Sequence, residues 1–206
     1  MIKNFFRWVK SVIRREPLVN YDGDICKSIG HYYYTINSYK GKAGSAKTSD
    51  KHMDGFIDLL ESLAPEGYDV RKKHKAIVKG AFLNKRWDIT YGKNNTVKKA
   101  LECKSIVLSK TGKHLTSRAE EAIGVATDLR RANKGIKLNY FLIVEDDQKE
   151  GSSELAEKLA KIASFCKYLE KDLKLYDNVF CIAFDPLRNY KYVYSDFNTF
   201  ASKWEY

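Results

Sequence analysis

The stretch VKKALECKSIVL, residues 97–108, constrains the fold of this chain more than any other. Side chains on a strand alternate between faces, and this strand becomes apolar on both towards its end. A strand of that kind is buried on both sides, as the centre of a helix-covered sheet is. Such a position disfavours charge, yet it carries Glu102 and Lys104. Two residues apart, these point to one face. Cys103 points to the other, where a small apolar side chain fits.

Just upstream, KNNT reads as a hairpin turn, because Asn tolerates positive φ. RWDITYG, residues 86–92, is the strand on its other side. A hairpin folds neighbouring strands back at about 4.8 Å, so Asp88 comes near Glu102 if the register is right. Two carboxylates that close repel strongly unless a cation sits between them. Such oxygen ligands suit Mg²⁺, which takes only one or two protein carboxylates. Lys104 would then orient an attacking water or stabilise charge on a phosphorane, which makes a constellation for phosphodiester hydrolysis. The competing reading is a cross-strand ion pair on a solvated face, and spacing alone leaves both open. Asp147–Lys149 and Asp172–Lys174 share the acid-x-Lys order but lie in polar surroundings with no partner aspartate on a neighbouring strand.

The remaining pattern is mixed. SDKHMDGFIDLLESLA is a helix capped by Ser49 or Asp50, with apolar positions 53, 56, 57, 60 and 63. KAIVKGAF, 75–82, reads as a strand. TSRAEEAIGVATDLRRANKG reads as a helix opening at Thr116 or Ser117, with Glu120 and Glu121 close behind as in a capping box and Gly135 past its end. LNYFLIVEDD, 138–147, is a buried strand, 152–172 a second long helix, and VFCIAFDP and NYKYVYS two last strands before a short helical tail. The expected class is α/β (α+β): helix, three strands, helix, strand, in a mixed sheet flanked by helices.

Ahead of this lies GKAGSAKTSD, 41–50, the most linker-like stretch. It divides the chain into a helical appendage, 1–45, and a main domain, 46–206. Within the appendage, residues 3–15 form a basic amphipathic helix ended by Pro17. That segment is too short and too charged to span a bilayer and has no cleavable-signal pattern. Packing on the domain or on a second subunit is its expected role. Residues 24–39 read as a further helix, with strand left open by the Tyr32–Tyr34 run.

The formal charge is +11 and the pI about 9.3, so the default partner is an acidic polymer: nucleic acid first, an anionic membrane second. Four cysteines at 26, 103, 166 and 181 lack zinc or redox spacing, and the four histidines form no helical metal pair. A reducing, cytoplasmic compartment fits.

At Asp88, Glu102 and Lys104 the chain resembles the PD-(D/E)XK nuclease superfamily and, within it, the XhoI family of type II restriction endonucleases. The likeness runs through KHMDGFIDLLESLA, RWDITYG, ALECKS and SRAEEAIGVATDLRRA in that order, roughly residues 50–145. Trp87 stands where the superfamily has proline. The resemblance implies a restriction-endonuclease-like core and a Mg²⁺-dependent endonuclease, with Mn²⁺ as substitute. Such an enzyme cuts both strands of duplex DNA at a short palindrome and leaves 5′-phosphates. It implies Asp88 and Glu102 as metal ligands, with the Cys103 backbone carbonyl as a further oxygen, and Lys104 as the catalytic lysine. A palindromic site matches a two-fold protein, so a homodimer is expected.

Around this centre, Asp54, Asp58 and Glu61 form an acidic helix stripe. Asp54 or Glu61 is a candidate second-metal ligand, against the plainer reading of a solvated face. One of Glu120 and Glu121 would face the helix dipole and the other reach the metal site. With Arg118 at the helix start they would make a phosphate clamp. The basic loop KTGKHLTSR (Lys110, Lys113, His114, Arg118) and the cluster RKKHK (Lys72, Lys73) are candidate DNA-backbone contacts. Two other classes remain: a repair or junction-resolving PD-(D/E)XK nuclease, and a non-catalytic basic DNA-binding module. A membrane-surface protein is a distant fourth.

Overall fold

Residues 96–107 lie at the centre of a six-stranded sheet. The computed structural model describes residues 57–58, 60–61, 64, 66–107, 111–145, 155–185 and 191–195. The expected helices in 1–45, the Tyr32–Tyr34 run, the linker, Asp54, Lys110 and the helical tail lie outside these residues.

The strands are β1 (Asp69–Lys72), β2 (Ile77–Lys79), β3 (Asn84–Arg86), β4 (Ile89–Lys93), β5 (Thr96–Val107), β6 (Lys137–Glu145), β7 (Asn178–Asp185) and β8 (Lys191–Ser195). The helices are α1 (Thr111–Ala132), between β5 and β6, and α2 (Leu155–Lys167), between β6 and β7. Residues 57, 58, 60 and 61, ahead of β1, are helical. The main sheet runs β1-β4-β5-β6-β7-β8. Its centre, β5-β6-β7, is parallel, because α1 and α2 are crossovers that return the chain to the same end. Its outer pairs are antiparallel.

Alternation along β5 and β6 divides the core. Ala100, Ile106, Leu138, Tyr140, Leu142 and Val144 pack against Ala122, Ala126 and Leu129 of α1 and Ile162 and Phe165 of α2. On the opposite face Ile89, Leu101, Phe141, Ile143 and Phe180 are buried. There Ile57 and Leu60 are also buried, and the Tyr91 hydroxyl donates to the Leu60 carbonyl. Each buried large apolar side chain contributes about 2 kcal/mol. Among the described residues no helix is long and apolar enough to cross a membrane.

The architecture is the expected one: in the main sheet three strands (β1, β4, β5) precede α1, and β6 follows it. RWDITYG divides: Arg86 ends β3 and β4 begins at Ile89, so Trp87 and Asp88 lie between the two strands. Two further boundaries differ. First, the segment read as strand 75–82 is not in this sheet. It begins with a 3-10 turn, Lys73–Lys75, and β2 then pairs with β3 as a separate hairpin. The third main-sheet strand is β1, DVRK, which has no apolar alternation because it is an edge. Second, α1 begins at Thr111, not at Thr116 or Ser117. Thr116 is no cap: its hydroxyl donates to the Gly112 carbonyl one turn back. KTGKHLTSR is therefore largely helix from Thr111, and Glu120 and Glu121 lie well inside it. Gly112, read as a loop signal, is tolerated in a helix at about 1 kcal/mol.

The β4–β5 turn is as expected. Asn94 and Asn95 have φ of 52° and 60°, the pair of positive values a type I′ hairpin needs. Just before it the ladder slips. Lys93 pairs with Thr96 and Gly92 with Val97, but Tyr91 pairs with Lys99 and Ile89 with Leu101. Lys98 is the extra residue of a β-bulge. A Cβ on Gly92 would lie 2.7 Å from the Thr96 carbonyl oxygen, so the bulge requires glycine.

Candidate active site

With the slip, the last β4–β5 pair is Ile89 with Leu101, and Asp88, one residue before β4, lies next to it beside the Leu101–Cys103 segment. The Asp88 amide donates to the Leu101 carbonyl at 3.2 Å. Its Oδ2 accepts from the Cys103 amide at 2.7 Å. Asp88 thus takes the place of the next ladder residue, and its carboxylate is fixed to the Glu102–Cys103 segment.

Glu102 is buried, 4% exposed. Its Oε1 lies 2.5 Å from Lys104 Nζ and 3.1 Å from Lys85 Nζ. Both ammonium groups also reach Glu121 Oε1 from α1, at 2.9 Å and 3.4 Å. Arg118 Nη1 holds the other oxygen of Glu121 at 3.2 Å. Among the described residues Glu102 Oε2 is buried with no hydrogen-bond partner. Tyr140, beside Glu102 in the parallel register, has an equally unpartnered buried hydroxyl. Burial pushes that hydroxyl well above its ordinary pKa, so it stays a donor.

The charges follow from this packing. Burial, and then the neighbouring Glu102 charge, push the Asp88 carboxyl up to about 6, although the Cys103 amide and the lysines oppose them. Burial works against the Lys104 ammonium, but Glu102 and Glu121 outweigh it and raise its pKa above the lysine value. Lys104 is therefore a cation here, suited to orienting water or stabilising negative charge. Burial favours protonation of Glu121, but Lys104, Lys85 and Arg118 outweigh it and hold its pKa low.

Asp88, Glu102, Lys104 and Glu121 thus come together, with Arg118 attached through Glu121. Arg118 is not at a helix N-terminus, so the expected clamp on outward amides does not form. Glu120 is exposed. Glu61 is paired elsewhere: with Asp58 it holds Lys72 Nζ, at 2.5 Å and 2.8 Å. Lys73 lies in the 3-10 turn, and Lys113 and His114 lie in the first turn of α1. Sequence reading missed Lys85, whose only signal is its place three residues before Asp88, and Tyr140, whose register with Glu102 needs β6.

Among the described residues no three His, Cys, Asp or Glu side chains form a metal cluster. The donor set is two carboxylates and the Cys103 carbonyl, and Mg²⁺ completes such a set with water and substrate oxygens. The residues fit a hard cation. An unpartnered buried oxygen like Glu102 Oε2 costs about 1–3 kcal/mol, and a cation held by Glu102 and Asp88 would offset both that cost and their repulsion.

A family model described as restriction endonuclease XhoI matches residues 36–191. The chain is 33% identical over 119 residues to the type II restriction enzyme BstVI of Geobacillus stearothermophilus, a match covering 49% of this chain and 53% of that enzyme. The chain spans about half the length of that curated relative. No solved structure gives a significant match. The family match spans most of the chain and includes Asp88, Glu102 and Lys104: the protein belongs to the XhoI family of restriction endonucleases.

Proposed function

We propose that this chain is a type II restriction endonuclease that hydrolyses phosphodiester bonds in double-stranded DNA at a short palindromic site. It acts as a homodimer with Mg²⁺, for which Mn²⁺ substitutes, and leaves 5′-phosphates. The observation that carries this reading is the Asp88 carboxylate held by the Cys103 amide next to Glu102, with Lys104 at 2.5 Å from the Glu102 carboxylate. The family match supports it.

Asp88, Glu102 and the Cys103 carbonyl would hold the cation. When bound, it supplies Lewis-acid polarisation of the scissile phosphate and acidifies an attacking water. Lys104, protonated and held between Glu102 and Glu121, orients the water for in-line attack and offsets the charge that builds on the phosphorus oxygens. Glu121 shares the ammonium groups of Lys104 and Lys85 and keeps their charge from repelling the cation. The water oxygen bonds to phosphorus and its proton passes to solvent; the P–O3′ bond breaks and the 3′ oxygen takes a proton from solvent, which yields a 3′-hydroxyl and a 5′-phosphate.

The test is plasmid cleavage with and without Mg²⁺, with fragment ends mapped, repeated with Lys104→Ala and Glu102→Gln. Discrete Mg²⁺-dependent fragments lost in both variants are expected. Faster cutting of branched than of linear DNA would replace the restriction reading with a junction-resolving one. Metal-indifferent DNA binding without cleavage would leave only a binding module.

A further inference from the structure

The β2–β3 hairpin lies outside the main sheet and reaches the candidate active site only through Lys85. One side packs inward: Ala76 and Val78 join the core with Trp87. The loop at the tip, Gly80–Leu83, leaves Phe82 82% and Leu83 65% exposed. Ile77, on the outward face, is 54% exposed. An exposed apolar group of this size marks an interaction site.

The tip is built to hold that exposure. Three successive loop amides donate to one residue of α1: Ala81 to the Asp128 carbonyl at 3.2 Å, Phe82 to Asp128 Oδ1 at 2.8 Å, and Leu83 to Asp128 Oδ2 at 3.2 Å. Asn133 Nδ2 adds a bond to the Lys79 carbonyl at 3.0 Å. A Cβ on Gly80 would lie 1.8 Å from Asp128 Oδ2, so only glycine lets the loop approach. With its backbone fixed on both strands, the tip cannot fold its side chains inward. The helix that braces the tip through Asp128 also places Glu121 in the candidate site, and Lys85 on β3 returns to Glu102 and Glu121.

Charge selects the occupant. Residues 70–87 contain seven Lys and Arg and no Asp or Glu. Lys79 and Arg86 lie on the outward face with Ile77. An isologous contact between two such hairpins would set like charges against each other, whereas a phosphate backbone would neutralise them. Apolar side chains that enter a duplex between base steps, flanked by Lys and Arg, are a known binding mode.

We propose that Phe82 and Leu83 form a preformed apolar wedge that inserts into duplex DNA beside the scissile phosphate. The wedge rests on the nuclease reading for its place beside the cleaved bond, but its unstacking of DNA is measurable without cleavage. The full chain and the double variant Phe82→Ser, Leu83→Ser are compared in EDTA. One readout is anisotropy of a fluorescein-labelled mixed-sequence duplex. The other is the linking number of plasmid relaxed by a metal-independent topoisomerase in the presence of the protein.

The expected result is that the wild-type chain unwinds the plasmid. The variant binds about tenfold more weakly, loses the unwinding and melts at the same temperature. Absence of unwinding by the wild type, or equal unwinding by the variant, overturns the wedge. A variant that melts earlier would show that the tip packs within its own chain, and one that changes oligomeric state would assign it to a second copy; either result also overturns it. Unwinding without any Mg²⁺-dependent cleavage would sink the nuclease reading and leave the wedge standing. Cleavage without unwinding would do the reverse.

Discussion

The Asp88 carboxylate accepts a hydrogen bond from the Cys103 amide at 2.7 Å, so the acid that would bind metal is also the side chain that ends the β4–β5 ladder. Charge and hydrogen-bond acceptance are separable at this position. Asp88→Asn keeps an acceptor for the Cys103 amide and removes the charge. Cleavage should fall at least about 100-fold, while the metal-free protein gains thermal stability because a repulsion disappears. Asp88→Ala should lose activity equally but also cost about 1–3 kcal/mol, because the Cys103 amide is orphaned. Thermal melts beside plasmid cleavage separate the two; equal stability in both variants would contradict this double role.

The raised pKa of Asp88 makes the metal-free protein sensitive to pH. The ordinary aspartate value is near 4, and in the fold it is pushed up to about 6. Between those values the folded state binds more protons than the unfolded chain, so stability falls as pH rises through that window. The loss from this group is at most about 3 kcal/mol and smaller where solvent screens it. In EDTA the melting temperature should carry this decline from pH 4 to 7. Saturating Mg²⁺ should remove it, and below about pH 6 the apparent Mg²⁺ affinity should drop as protons compete for Asp88. An apparent Mg²⁺ affinity that stays constant through this window would remove Asp88 from the metal site.

Lys104 sits between two carboxylates, and Lys85 touches both of the same groups. Lys104→Met should therefore cut cleavage by about 10²–10³. Its stability cost should stay at or below about 3 kcal/mol, because Lys85 still neutralises Glu102. Removing both lysines should cost more than the sum of the single losses. Denaturant titration of the two single variants and the double closes that cycle, and strict additivity would mean that the lysines act independently.

Gly92 is remote from the phosphate in sequence but sets the position of Asp88. Gly92→Ala places a methyl 2.7 Å from the Thr96 oxygen, and the bulge must open or the turn must shift. A loss of about 1–3 kcal/mol is expected, with a larger fractional loss of cleavage than of DNA binding, since Asp88 moves against Glu102. An unchanged cleavage rate would show that the register tolerates the strain.

Much of this was legible in the chain. The central strand declares itself because a strand buried on both faces must be apolar on both, and Glu102 and Lys104 stand out against that background. Asn94 and Asn95 mark the turn because few residues accept positive φ. Strand β1 was not legible because an edge strand carries no alternation, and the start of α1 was not because Gly112 and the threonines imitate a loop. Lys85 looked like one more cation in a basic run.

The order of residues is enough to say which side chains are available and which share a strand face: Glu102 with Lys104, and Cys103 opposite. Whether Asp88 meets them was decided by tertiary structure. Strand pairing has a period of two, so the single extra residue at Lys98 decides whether Asp88 comes beside Glu102. That slip depends on the close approach of Gly92 to Thr96, a contact between two backbones that no side-chain pattern records.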